Sequence, residues 1–477
     1  MSSISRLTSG RSWPWVLMAA LVIACLLMGG GSRADIASLA LLRPLAAVFL
    51  VIGLFGLTRE RFAAFRFLLL FGLAIIVLFA LQLVPLPPQI WTALPGRDLL
   101  VDGLTTTGAT IGWQPLSMVP WRTWNSLYAL IIPAAALLLA IRCTADERRD
   151  LVPLLLLCGL ATTLLGVFQA AAPGADFLWL YRITNQDLPV GFFANRNHQA
   201  VFLCCLPLLL ALWAGRRQPV APRGARKAGL PREAVAIGAI LLLLPLVLVT
   251  GSRAGLLLFA LAIVMALGLY AASRDTLDRR LMVRGTLLAV AIGGAAMAIA
   301  FSSTRSLAVS RLMNDSFGDD LRAEVWPRSL DLMWNYMPLG TGFGSFAEVF
   351  QIGEQSSTLN TSYVNRVHND WIEPLLEGGI PAGLLMVAAV VAWLFVTGRL
   401  LARVRDRSQA AVTGLAGSGM LLLLALSSVG DYPLRVPMLM VVATIAALWM
   451  RDGLRKDTAA ETRSYGDVSL DASGGRP

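Results

Sequence analysis

Histidine is nearly missing from this chain: its 477 residues include only two, His198 and His368. Charge is also scarce, at 14% of residues, where a soluble domain carries about 25%. Cysteine occurs five times. Cys25, Cys158, Cys204 and Cys205 lie in apolar runs, and Cys143 lies in a short charged loop. No two form a CxxC pair, so neither a disulfide framework nor a redox motif is legible. There is no Walker loop and no cluster with metal-ligand spacing. The pattern therefore implies no metal and no cofactor.

What the chain has in excess is hydrophobicity. Apolar residues make up 56% of it, and the mean hydropathy is +0.68, which points to an integral membrane protein. A bilayer core of about 30 Å needs roughly 20 apolar residues per helix. Twelve runs qualify: 13–30, 37–57, 66–86, 122–141, 150–171, 198–214, 234–250, 254–272, 285–303, 379–397, 409–429 and 435–450. Each is expected to be a helix, because backbone groups in lipid need partners inside the segment. The first run, preceded by Arg6 and Arg11, has the flanks of a signal peptide, and "VIAC" (22–25) resembles a lipoprotein cleavage box. Because the run continues past Cys25 and more spans follow, it reads as an uncleaved first helix.

The net charge of +11 and pI of about 10.1 would suit a nucleic-acid partner, but the distribution of charge argues otherwise. With the N-terminus inside, 27 of the 40 Lys and Arg fall on inner segments, 12 on outer ones, and Arg43 within a span. Such an asymmetry is the positive-inside pattern. It predicts cytoplasmic termini and accounts for the basic balance without nucleic acid. The expected fold is an all-α polytopic membrane protein of about 12 transmembrane helices, with a long outer loop between helices 9 and 10. The expected divisions are spans 1–3 with the first outer loop (1–121), spans 4–9 (122–303), the long loop (304–378), spans 10–12 (379–451) and a disordered tail (452–477). In the long loop, "LRAEVWPRSLDLMWNYM" (321–337) reads as a helix on the outer membrane surface, bent at Pro327. The glycine-rich "PLGTGFGSF" (338–346) closes it.

Four motifs carry polar chemistry, and the topology puts all of them at the outer face. "GFFANRNHQA" (191–200) brings Arg196 and His198 to the start of span 6. "TGSRAG" (250–255) holds Arg253 in a very short connection. "NRVHNDWIEPLLEGGIPAG" (365–383) carries His368 and Asp370 ahead of span 10, and "GDYPLR" (430–435) carries Arg435. Each residue also has an ordinary reading. An arginine at a helix end snorkels to the interface, either histidine caps a helix, and Asp370, Glu373 and Glu377 form a solvated face. As a set they argue for function, because ionisable groups at membrane depth default to functional roles. Several guanidinium forks at one outer cavity also suit a membrane-embedded anion such as a lipid diphosphate.

Those motifs, in this order over about residues 160–450, resemble the O-antigen ligase and Wzy-type polymerase superfamily. The resemblance implies a GT-C-like bundle in the bacterial inner membrane with its active site facing the periplasm. It implies an inverting, metal-independent glycosyltransferase. The donor would be a glycan on undecaprenyl diphosphate, and the acceptor another glycan or lipid A-core, met among membrane lipids. By the same resemblance Arg196 and Arg253 match diphosphate-binding arginines and His368 matches the catalytic histidine, with His198, Asp370 and Arg435 in support. The pattern leaves ligase against polymerase open. A twelve-helix transporter or a lipid-linked glycan flippase are the rivals. The loop at 58–66 lacks the Gly- and Asp-containing pattern of the commonest such transporters.

Overall fold

The computed structural model describes residues 11–185, 188–216, 230–274, 291, 294, 316–352, 354, 364–404 and 408–455. Eleven of the twelve expected spans fall on helices. These are α1 (Trp13–Met28), α2 (Leu39–Phe55), α3 (Arg59–Leu81), α4 (Pro120–Arg142), α5 (Ala145–Ala171), α6 (Arg196–Gly215), α7 (Arg232–Val249) and α8 (Arg253–Ala272), then, beyond the long loop, α11 (Ile372–Val404), α12 (Gln409–Ser427) and α13 (Pro437–Gly453). The long loop supplies α9 (Ser316–Asn335) and α10 (Phe346–Ile352). Among the described residues, eight helices (α3–α8, α11 and α12) are long and apolar enough to cross a membrane. The remaining three, α1, α2 and α13, have 16, 17 and 17 residues. Apart from residues 291 and 294, the expected span 285–303 lies outside the described residues, as does the tail from 456 onward.

The helices alternate between two ends of one bundle. At one end the chain after α1 meets the starts of α6 and α13: Ala194 donates its N–H to the Gly30 carbonyl, and Met438 to that of Gly29. At the opposite end the Ser12 N–H reaches Glu147, and Arg451 reaches the carbonyl of Ala64. Helix α6 is the axis of the bundle, with 94% of its span window covered by protein. It gets there through small residues: Gly255 of α8 leaves room where a Cβ would come within 2.7 Å of Ala200. Close approach through glycine is how helices pack where lipid removes the hydrophobic drive.

The loop helix expected over 321–337 is α9, which continues across Pro327. One of its faces packs into protein: Val325 and Met333 join Phe346, Val349, Val367 and Leu376 in a second apolar cluster. Between α3 and α4 the chain makes a two-residue antiparallel ladder, Pro85–Leu86 against Gln114–Pro115.

Helix α11 begins earlier than the expected span 379–397 and breaks at Gly379, whose φ of 59° and ψ of −152° are not helical. Pro381 removes a further donor, so carbonyls of the preceding turn need partners from elsewhere. The glycine loop provides them. Thr341 and Gly342 donate their N–H groups to the Leu376 and Glu377 carbonyls at 3.1 and 2.8 Å, and Ile380 donates to the Pro338 carbonyl. Gln82, following α3, adds its Nε2 to the Glu377 carbonyl and accepts from the Phe343 N–H, both at 2.9 Å. The approach requires glycine: a Cβ on Gly340, which sits at φ +78°, would fall 2.6 Å from the Glu377 carbonyl oxygen.

Candidate active site

The four polar motifs meet at the end of the bundle where the glycine loop and Gln82 clamp the broken start of α11. Helix α6 is capped there by Asn195, whose Oδ1 accepts from the Asn197 N–H at 2.8 Å. The amide groups of Asn195 and Asn197 both donate to Oδ2 of Asp431, at 3.2 and 2.8 Å. The other oxygen of Asp431 faces both histidines of the chain. His198 Nε2 stands 3.6 Å from Oδ1, and His368 Nδ1 stands 3.5 Å from it. The Tyr432 ring lies against both imidazoles, with centroids 5.1 and 4.9 Å away. Burial alone would raise the Asp431 carboxyl. The two imidazoles facing it, His198 foremost and then His368, outweigh this and hold it well below the ordinary carboxylate range.

The two histidines differ in access. His198 is 2% exposed, and neither of its ring nitrogens has a hydrogen-bond partner among the described residues. The His368 side chain is 29% exposed and sits at φ +55°, a left-handed conformation that is uncommon outside glycine. Strained backbone of this kind persists where its surroundings fix it. On one side the Val367 N–H is held by Glu373 Oε2 at 2.9 Å. On the other, Asn369 Oδ1 accepts from the N–H groups of Trp371 and Ile372 and so caps α11. Neither histidine does the capping, which falls to the neighbouring asparagines.

Beside this pair lies a cluster of buried ions. Arg435 reaches Asp370 at 3.1 Å, Glu373 at 3.2 Å and Glu377 at 3.4 Å. Arg366 shares Glu373 at 2.8 Å. The solvated-face reading of the three acids fails here, because Glu373 and Glu377 are fully buried. Two guanidinium groups facing three carboxylates leave an excess of negative charge. Burial pushes the Asp370 carboxyl up to about 6, against the pull of Arg435. The Arg435 fork is filled by carboxylates, and its visible work is to hold the start of α11 to the loop between α12 and α13.

Arg253 opens α8 behind Ser252, whose Oγ accepts from the Gly255 N–H at 3.1 Å. Arg196 opens α6, and its Nη1 lies 3.4 Å from where a Cβ of Gly251 would be. The structure thus lays Arg196 against the very connection that carries Arg253. Among the described residues no group of His, Cys, Asp and Glu is arranged to hold a metal ion. Asp431 went unrecognised in the sequence although its motif stood out. An acid in a short connection between two apolar spans is the signal that marks it. Glu373 and Glu377, four apart on one helix face, carried a similar signal.

Fold and site define a polytopic helical membrane protein with a buried ionic centre at one end of the bundle. Residues 238–387 match the model of the O-Antigen ligase family, a match that supports the O-antigen ligase and Wzy superfamily. The matched stretch holds Arg253, the glycine loop, His368 and the three acids; Arg196, His198 and Asp431 lie outside it. No curated protein matches the chain. That family implies a glycosyltransferase-like ligase with glycan and lipid-linked substrates.

Proposed function

We propose that the chain transfers a glycan from undecaprenyl diphosphate to an acceptor hydroxyl at the periplasmic face of the bacterial inner membrane. The observation that carries the proposal is the convergence of the only two histidines, 170 residues apart in sequence, on one carboxylate oxygen of Asp431. A lipid diphosphate is already a leaving group, and paired guanidinium groups at Arg196 and Arg253 would neutralise the charge that develops on it. The remaining task is to take a proton from the acceptor. With Nδ1 turned to Asp431, the proton of His368 is fixed on that nitrogen and Nε2 is left to accept. Asp431 then stabilises the imidazolium, as an orienting carboxylate does. The gap of 3.5 Å suits a resting site, since such contacts tighten with substrate.

Access assigns the roles: His368 is the base, and buried His198 holds Asp431 from the far side. The transfer needs no metal, because leaving-group charge and proton are both handled by side chains, and attack opposite the diphosphate inverts the anomeric centre. The test is turnover per folded molecule by purified His368→Ala, with donor binding measured alongside. Turnover is expected to fall by about 10²–10⁴ with donor binding kept, whereas Arg196→Ala or Arg253→Ala loses donor binding itself. Near-normal turnover in His368→Ala would sink the base assignment. Normal donor binding in both arginine variants would return those residues to ordinary interface anchors.

A further inference from the structure

Arg43 stands apart from the arginines discussed so far. It lies in the second turn of α2, inside an expected span. Its Nη1 donates to Asn125 Oδ1 at 2.8 Å, its Nε is buried without a partner, and no carboxylate among the described residues pairs with it. The guanidinium lines a cavity of about 330 Å³ whose walls include Ile75 and Phe79 of α3 and Leu385 and Met386 of α11. Those two helices are the least covered of the long spans, at 6% and 11%, so the cavity sits between surfaces left for lipid. A second cavity, of about 410 Å³, shares Ser32, Asn125, Ser126 and Arg366 with the first, and Tyr432 stands in its wall. An apolar chamber therefore meets a polar one at the Arg43–Asn125 pair. Neither cavity is lined by Arg196 or Arg253.

We infer that this is a binding site for an anionic lipid carrying a single phosphate on acyl chains, separate from the Arg196–Arg253 pair. An acyl chain fills the apolar chamber, and the phosphate rests on Arg43. The rest of the headgroup extends into the polar cavity, towards the Tyr432 ring that both histidines touch. Arg366, Asp370 and Arg435 also line the cavity, but carboxylates fill the forks of Arg366 and Arg435, so Arg43 is the lining guanidinium with an unmet donor, and one such group suits one phosphate. The ionised headgroup also supplies the partner that an arginine at membrane depth otherwise lacks. The site rests on the cavity and Arg43. Only its nearness to the chemistry depends on the transfer reading.

The experiment uses the full chain in phosphatidylcholine nanodiscs doped with phosphatidylglycerol that carries a photoreactive acyl chain. Crosslinks are expected on the α3 and α11 walls of the cavity. Arg43→Ala should reduce them by about tenfold, the weight of one charge-assisted hydrogen bond. Ala389→Trp, which fills the chamber, should reduce them likewise, Arg43→Lys should keep part of them, and Arg253→Ala should leave them unchanged. Equal labelling by the photoreactive phosphatidylcholine analogue would overturn the proposal, because the cavity would then be a crevice for bulk lipid. Displacement by farnesyl diphosphate that requires Arg253 would overturn it too, because the chamber would then hold the chain of a diphosphate lipid. If Arg43→Ala fails to fold, the comparison of the two probes on the unaltered protein still decides. Turnover is not read, so failure of the transfer reading leaves this result intact.

Discussion

The bundle buries ionic groups at both ends, and the two ends use them differently. At the end away from the site, Arg148 is 2% exposed and forks onto Asp452, Nε to Oδ2 at 2.5 Å and Nη2 to Oδ1 at 2.8 Å. Its Nη1 donates to the carbonyls of Ala140 and Cys143, and its own carbonyl accepts from the Trp449 indole. Each polar group of that pair has its partner, and the pair fastens α13 to the start of α5. At the site end, the acids outnumber the guanidinium groups around Arg435, the His198 nitrogens go unbonded, and His368 holds a backbone conformation it would not choose alone. A saturated buried pair is a fastener. An unsaturated one has capacity left for something that arrives, which is how a site differs from a staple.

The sharpest way to break this comparison is Asp431→Asn. If the site end is built for reaction, turnover per folded molecule should drop by about 10²–10⁴, because the amide no longer fixes the His368 tautomer or supports its charge. Retained turnover would make Asp431 another fastener. Next in size is Arg148→Ala at the opposite end. It leaves Asp452 with Arg451 alone and should cost stability, by up to about 3 kcal/mol, read as a lowered unfolding temperature in detergent, while surviving molecules turn over normally. A turnover defect there would mean that the ends are coupled.

Acidity sharpens the contrast further. Burial pushes the folded Asp370 carboxyl up to about 6, above the ordinary aspartate value of 3.8. The folded state therefore takes up a proton before the unfolded chain does as pH falls from 7 to 5. Stability from this group is lowest above pH 6 and is regained on acidification, by on the order of 2 kcal/mol. Asp370→Asn should remove that portion of the pH dependence of thermal unfolding, and an unchanged pH profile in the variant would refute the assignment. The smallest expected effect is that of Asn369→Ala, which uncaps α11 at a cost of about 0.5–2 kcal/mol. It also loosens the segment that strains His368, so turnover should fall modestly together with the unfolding temperature.

Much of the fold was legible in the sequence because lipid is a demanding solvent: an apolar run of sufficient length has only the helix open to it, and eleven of the expected segments are helical. The start of α11 was not. Its first turn is amphipathic and held by ions, so a hydropathy window passes over residues 372–378. Arg196, His198, Arg253 and His368 were visible because basic residues are scarce on the outer segments and histidine is scarce throughout. Their partners were not, because pairing leaves no local mark. Gln82 meets the carbonyl of Glu377 across 295 positions, and Asp431 meets His198 across most of the bundle's connectivity. The capping reading of the histidines lost to the residues beside them, since Asn195 and Asn369 have the shorter side chains that a helix start prefers.

The clamp on α11 also has a direction in time. Gln82 and residues 338–343 are synthesised before Gly379 and Pro381, so the donors that a broken helix needs are already at the site end when the break is made. A segment interrupted at that point does not settle in hydrocarbon by itself; it is received by chain that has gone ahead of it. The α12–α13 hairpin follows and brings Asp431 between two histidines that have waited without their shared carboxylate. Under the proposed reading, biogenesis ends where chemistry begins, and a chain halted before that hairpin is expected to lack turnover.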